Sequence, residues 1–195
     1  MGQRLVIELY DGRERLANAY YHWSAYSLPS ITLAEVVIKK LEEIGDTLSP
    51  KLKAIKALEA TGAGMVKTEL EEAKALFPNI EFKPCVDRNE GLLGITEDYM
   101  NTTFDWNEGF IKIDIKEETF CFDVCWSESQ PLVYDPEIDN MVEAEVIETN
   151  INLDEVNFCE IETLFSLFEE ICYGSGKVGK VTTNNDEFIF VRAID

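Results

Sequence analysis

Phe110-Ile-Lys-Ile-Asp-Ile-Lys-Glu-Glu-Thr-Phe-Cys-Phe-Asp-Val-Cys-Trp126 alternates large apolar with polar side chains on both sides of a charged turn. That period of two is the mark of an antiparallel hairpin with one buried face. Ile111, Ile113 and Ile115 share one face of the first strand. Phe120, Phe122, Val124 and Trp126 share one face of the second. A turn over 116–119 sets Ile115 opposite Phe120, Ile113 opposite Phe122 and Ile111 opposite Val124. Lys112 then meets Asp123, and Asp114 meets Cys121, on the other side. A hairpin with one apolar face needs cover, and the flanking sequence supplies it.

Upstream, Leu5, Ile7 and Leu9 alternate with Arg4, Val6 and Glu8, and Asp11-Gly12 turns the chain into a strand running from about Arg15 to Trp23. Pro29 breaks that strand, and Thr32-Leu-Ala-Glu35 has capping-box spacing. Leu33, Val36, Val37, Leu41 and Ile44 then follow a helical period up to Gly45. Ser49-Pro50 opens a second helix with Leu52, Ile55 and Leu58 on one face, and a third spans about Val66 to Phe77. Leu92 to Thr96 reads as a short strand, and Glu97 to Phe104 as one or two helical turns.

Downstream of the hairpin, Gln130 to Pro136 reads as a loop. Val142, Ala144 and Val146 alternate with Glu143, Glu145 and Ile147 in a strand whose glutamates face water. Phe158, Ile161, Leu164, Phe165, Phe168, Ile171 and Cys172 form the stripe of an amphipathic helix ended by Gly174. Val178 to Thr183, a turn at Asn184-Asn185, and Glu187 to Ala193 close the chain as a hairpin. The fold class expected is α+β: a mainly antiparallel sheet with an N-terminal hairpin, a helical layer over about 33–77, and a C-terminal amphipathic helix plus closing hairpin. No linker divides the 195 residues, so one domain over 1–195 is expected.

Charge is distributed unevenly along that domain. The formal net charge is -21, from 38 acidic against 17 basic side chains. Residues 1–83 are near neutral, with 11 Lys and Arg against 12 Asp and Glu, whereas 84–195 carry 6 against 26. From Glu117 to Gly176 there are 16 carboxylates and no Lys or Arg. Such a surface repels phosphate and attracts cationic macromolecules, so direct nucleic-acid binding is disfavoured and a basic partner is expected. Apolar residues make up 46% of the chain, too many for a disordered acidic tail. No apolar run is long enough to cross a bilayer and no secretory signal opens the chain, so no membrane contact and a cytoplasmic location are expected.

Chemical motifs are weak by comparison. His22 is the one histidine. It sits in the aromatic run Tyr20 to Tyr26, where a small enzyme or ligand site could use it, but no spacing supplies a nucleophile and an orienting group. Gly174-Ser-Gly-Lys-Val-Gly-Lys180 matches GxGxxG, yet a helix precedes it and a strand follows, the reverse of a phosphate-binding loop. The five cysteines (Cys85, Cys121, Cys125, Cys159 and Cys172) are an odd set without CxxC spacing and read as reduced thiols. Asp135, Glu137 and Asp139 could gather a hard cation but lack EF-hand spacing. No cofactor, catalytic residue or metal is expected.

Three stretches, Gly2-Gln-Arg-Leu-Val-Ile-Glu8, Asn18-Ala-Tyr-Tyr-His-Trp-Ser-Ala-Tyr26 and Asp87-Arg-Asn-Glu-Gly-Leu-Leu-Gly-Ile-Thr96, resemble small proteins of unassigned function carried by bacteriophages and prophages. The resemblance carries no catalytic motif and transfers no site residue. It implies a phage-encoded protein working in the host cytoplasm, similar to acidic inhibitors of host defence systems of the CRISPR or restriction type, some of which imitate DNA. The chain departs from the most extreme mimics because its acidity is confined to one half. The expected function is therefore a non-enzymatic acidic protein that inhibits a host nucleic-acid-binding or defence protein by occupying its cationic surface. The residues expected to make that contact are Glu143, Glu145, Glu148, Asp154, Glu155, Glu160, Glu162, Glu169 and Glu170. A small enzyme built around His22, or a phage structural or assembly protein, are the other classes.

Overall fold

The computed structural model describes residues 3–87, 91–102, 108–124, 127–128, 132–135, 137–174, 176–182 and 188–192. In chain order the elements are β1 (Leu5–Asp11), β2 (Glu14–Tyr21), α1 (Ser27–Ile44), α2 (Pro50–Ala60), β3 (Gly64–Met65), α3 (Lys67–Leu76), β4 (Leu92–Gly94), α4 (Glu97–Thr102), β5 (Gly109–Asp114) and β6 (Thr119–Asp123). They continue with β7 (Ser127–Glu128), β8 (Leu132–Asp135), β9 (Asn140–Glu143), β10 (Glu145–Asn152), β11 (Val156–Asn157), a 3-10 turn (Phe158–Glu160), α5 (Ile161–Tyr173), β12 (Lys177–Thr182) and β13 (Phe188–Arg192).

The fold is α+β. Seven strands form the main sheet in the order β11-β6-β5-β1-β2-β4-β3, a second sheet runs β10-β12-β13-β7, and β8 with β9 makes a two-stranded ribbon. Most pairings are antiparallel. The exceptions, β1–β5, β3–β4 and β10–β12, are parallel and make both larger sheets mixed. The registers align one apolar row across the main sheet: Met65, Leu93, Ala19, Ile7, Ile111 and Phe122. A second row joins Ala17, Leu9, Ile113, Phe120 and Val156. In-register partners share a face, so both rows point the same way. Helix α2 packs over β1, β2 and β4, α1 packs on α2 and α5, and α5 packs on β12 and β13. One contiguous apolar core results, running from Leu5 to Val191.

The central hairpin has the expected faces in a different register. Ile113 faces Phe120, Ile111 faces Phe122, and Lys112 faces Cys121, two residues away from the pairing that the pattern alone supports. A shift of two leaves every side chain on its own face, so burial does not choose between the registers. Turn chemistry does. The Asp114 carboxylate accepts from the amides of Lys116 and Glu117 at 3.0 and 3.2 Å, and Glu118 takes the left-handed conformation at φ 53°. The turn is therefore 115–118, and Ile115 lies in it. Asp114 also accepts from the Gly12 amide at 3.2 Å, tying this turn to the neighbouring one. Cys125 and Trp126 lie outside the described residues, as do the Asn184-Asn185 turn, Phe104, Gln130 and Pro136.

Four other boundaries differ. Strand β2 ends at Tyr21, and His22 and Trp23 belong to a turn. Helix α1 starts at Ser27, because Pro29 falls in the first turn, where a missing N–H breaks no helical bond. The Thr32 hydroxyl accordingly donates to the Leu28 carbonyl at 2.8 Å inside the helix, and Glu35 pairs with Lys39 at 2.9 Å. Residues 132–135, expected as loop, form β8. The single strand expected over 142–147 is broken at Ala144, and its halves enter different sheets.

Tyr21 closes the core beneath α2. It is 3% exposed, and its hydroxyl lies 2.6 Å from the Thr61 hydroxyl. Burial pushes this phenol well above its ordinary range. As pH rises past about 10, the unfolded chain therefore gives up this proton while the folded chain keeps it, and stability falls by about 1.4 kcal/mol per pH unit. Urea unfolding of the wild type and Tyr21→Phe at roughly pH 9 and roughly pH 11 measures this share. The variant is expected to lose less stability between the two. Equal losses would show that Tyr21 does not titrate as its burial requires.

Candidate acidic interface

The nine carboxylates singled out from the sequence occupy four places. Glu143 ends β9 of the ribbon. Glu145 and Glu148 lie on β10, which runs parallel to β12 with Glu145 beside Lys177 and Glu148 beside Lys180. Asp154 and Glu155 turn the chain from β10 into β11 at the edge of the main sheet. Glu160, Glu162, Glu169 and Glu170 follow along the 3-10 turn and α5.

Cations reach this acidic segment from outside it. Lys177 Nζ lies 2.6 Å from Glu170 and 3.7 Å from Glu145, drawing the C-terminal end of α5 onto the start of β10. Its hydrogen bond to Glu170 raises its pKa above the ordinary lysine value. Lys180 Nζ is 3.1 Å from Glu148, and Lys39 of α1 is 3.3 Å from Glu162. Adjacent strand residues point to opposite faces, so Lys177 and Lys180 report on different sides of the second sheet. Glu145 and Glu170 converge on the α5 side, whereas Glu148 lies on the other. Glu143, Glu155 and Glu169 are exposed and join no ion pair among the described residues. Glu160 is committed locally: its carboxylate accepts from the Asn157 amide at 3.0 Å, completing a capping box.

Asp154 lines an open depression of about 250 Å³ with Lys112, Asp114, Thr119, Phe120, Cys121 and Glu155. Burial first, then Asp154 and Asp123, push the Cys121 thiol up, so it is a poor nucleophile at neutral pH. Cys85, Cys121 and Cys159 are free thiols. Among the described residues no cluster of three or more His, Cys, Asp or Glu could hold a metal ion. Asp135 and Asp139 have structural work: Asp135 accepts from the Glu137 amide at 2.8 Å, and Asp139 accepts from the Tyr134 hydroxyl.

Sequence reading missed a polar row on the reverse of the main sheet. Gly94, Asn18, Glu8, Lys112 and Cys121 stand in register across β4, β2, β1, β5 and β6. Glu8 is 1% exposed, an unusual place for a carboxylate. It accepts from the Tyr10 hydroxyl at 2.6 Å and from Arg15 at 3.0 Å, and Arg15 also reaches Glu97 and Asn101 of α4. Lys112 lies 4.3 Å above the Tyr10 ring. Burial and the bond to Glu8 raise the Tyr10 phenol far above its usual range, which keeps it a donor. The alternation of β1 places Glu8 opposite the apolar face. Its burial depends on α4, which no local pattern places there.

His22 Nδ1 lies 3.0 Å from the Tyr20 hydroxyl, and the ring meets Trp23 edge-on at 4.9 Å. Burial raises the Tyr20 phenol, so the group beside the imidazole is a reluctant nucleophile. The GxGxxG stretch caps α5 and enters β12: the Gly174 amide donates to the Glu170 carbonyl at 2.8 Å. A Cβ at Gly179 would come within 2.6 Å of Ile171 Cδ1, so this glycine permits close helix–sheet packing. No helix among the described residues is long and apolar enough to cross a membrane. No protein-family model, curated protein or solved structure matches the chain.

Proposed function

We propose that this is a non-enzymatic acidic binding protein that occupies the cationic, nucleic-acid-binding surface of another protein. A phage-encoded inhibitor of a host defence effector would act in this way. One observation carries the reading. The carboxylates of 117–176 fold without a cation of their own, and the lysines that reach Glu145, Glu148, Glu162 and Glu170 leave Glu143, Glu155 and Glu169 exposed with no ion pair among the described residues. Gathering like charge destabilises a fold, and a long-range field that steers a basic partner is the return. The paired glutamates hold β10, β12 and α5 together, and the unpaired ones project the potential.

The test is capture from a bacterial lysate at low salt, identification of the retained proteins, and challenge of the complex with duplex DNA. The expected result is a basic nucleic-acid-binding protein that DNA displaces competitively. A stoichiometric partner that DNA leaves in place contradicts the proposal.

A further inference from the structure

We infer that the β8–β9 ribbon is a docking arm for a basic, amphipathic segment of a protein partner. This rests on the acidic-binder reading and names the surface that makes the contact. The register sets Tyr134 directly opposite Met141 and Leu132 opposite Glu143, so these four share one face of the ribbon. Tyr134 is 53% exposed, Met141 50%, and Ile138 in the connecting turn 60%. The other large exposed apolar side chains, such as Leu76 of α3 and Val86, lie on other parts of the chain. Tyrosine and methionine are side chains that protein interfaces enrich, and grouped exposure of this kind marks a contact surface.

Among the described residues β8 and β9 pair only with each other. A lone two-stranded ribbon is marginally stable in water, so a partner that covers one face also stabilises the arm. Its turn is already shaped by the Asp135 carboxylate on the Glu137 amide and by the Tyr134 hydroxyl on Asp139, which lowers the ordering cost of binding.

The rim chooses the occupant. Glu143 shares the face of the apolar pair, Asp139 accepts from the Tyr134 hydroxyl, Asp135 and Glu137 stand beside them in the chain, and the sequence has no Lys or Arg between Glu117 and Gly176. A second copy of this chain would set like charges against one another. Nucleic acid and anionic lipid are repelled for the same reason. A protein segment that sets apolar side chains among lysines or arginines satisfies both the face and its rim.

Two synthetic probes separate the apolar contact from general charge attraction: a peptide of alternating lysine and leucine, and an oligolysine of equal length. Both are titrated into the full chain at roughly 50 mM and roughly 300 mM salt. The lysine–leucine peptide is expected to bind about tenfold tighter, and Tyr134→Ser/Met141→Ser to remove that advantage while leaving oligolysine binding unchanged. Leu76→Ser, exposed on α3, keeps it. Hydrogen exchange should show peptide-dependent protection over 132–143, and an unchanged urea midpoint confirms that the double variant is folded. Equal binding of the two peptides, or full affinity in the folded double variant, overturns the docking arm alone. Failure of both peptides to bind at low salt overturns the acidic-binder reading beneath it. A wild-type dimer that the double variant dissolves in sedimentation would assign the face to a second copy and overturn the inference.

Discussion

Phe168→Ala is expected to destabilise the protein by about 4 kcal/mol, within the range for emptying a large buried aromatic site. Phe168 is fully buried at the centre of α5, and its ring centroid lies 5.8 Å from that of Phe122 with planes tilted by 55°. This contact reinforces a joint that Leu153 makes through the backbone, accepting from the Phe122 amide at 2.9 Å and donating to the Thr182 carbonyl of β12 at 3.3 Å. Phe122 belongs to the main sheet, while α5 lies on β12 and β13 of the second. Removing the ring deletes dispersion contacts on both sides and leaves a void that helix and sheet can close only by shifting toward each other against the rest of their packing. With a urea m-value of roughly 2 kcal/mol/M, the unfolding midpoint should fall by about 2 M. Tyr173→Ala in the last turn of the same helix, where the side chain is 71% exposed, is expected to shift it by less than a quarter as much. Similar shifts for the two variants would mean that α5 does not clamp the sheets. The acidic residues on β10 and α5 would then lack a fixed spatial relation.

The second large effect concerns binding and has opposite signs at two sets of residues. Converting Glu143, Glu155 and Glu169 to glutamine removes three exposed charges that have no ion pair among the described residues. It is expected to weaken binding to the captured partner about tenfold at low salt, roughly 1.4 kcal/mol. Converting Lys177 and Lys180 to glutamine uncovers Glu145, Glu148 and Glu170 and is expected to strengthen it severalfold, since ion pairs this close to water contribute little to stability and the fold survives their loss. Kd from fluorescence anisotropy across the wild type and both variants checks the pattern. Weakening in both would indicate that specific geometry, rather than net potential, makes the contact. No change in either would place the contact away from these residues.

The elements of this fold were legible wherever a local pattern determines them. The alternation over 110–124 identifies the buried face of the central hairpin, and the stripe from Phe158 to Ile171 identifies α5 and its inward side. Register was not legible, because slipping by two preserves every face, and the Asp114 carboxylate and the left-handed Glu118 in the turn separate the choices. The start of α1 was obscured by Pro29, a residue that breaks strands yet sits comfortably in a first helical turn. Leu132 to Asp135 lies between two prolines, which hid a strand that pairs only with β9.

The acidic site was legible as composition but not as arrangement. Its neutralising lysines arrive through the parallel pairing of β10 with β12 and through α1, both non-local. Glu8 makes the same point. Its position predicts exposure, and the Tyr10 hydroxyl together with Arg15, itself held by α4, makes burial of that carboxylate tolerable.

The central claim is that a cationic surface is recognised through the summed field of these carboxylates. Its most direct measurement is the Kd of the captured partner across a salt series from roughly 50 mM to roughly 300 mM, over which the Debye length contracts from about 14 Å to about 6 Å. A steep, continuous loss of affinity with added salt is expected, and a shallower loss for the variant lacking Glu143, Glu155 and Glu169. Tight binding that stays constant across the series would contradict it.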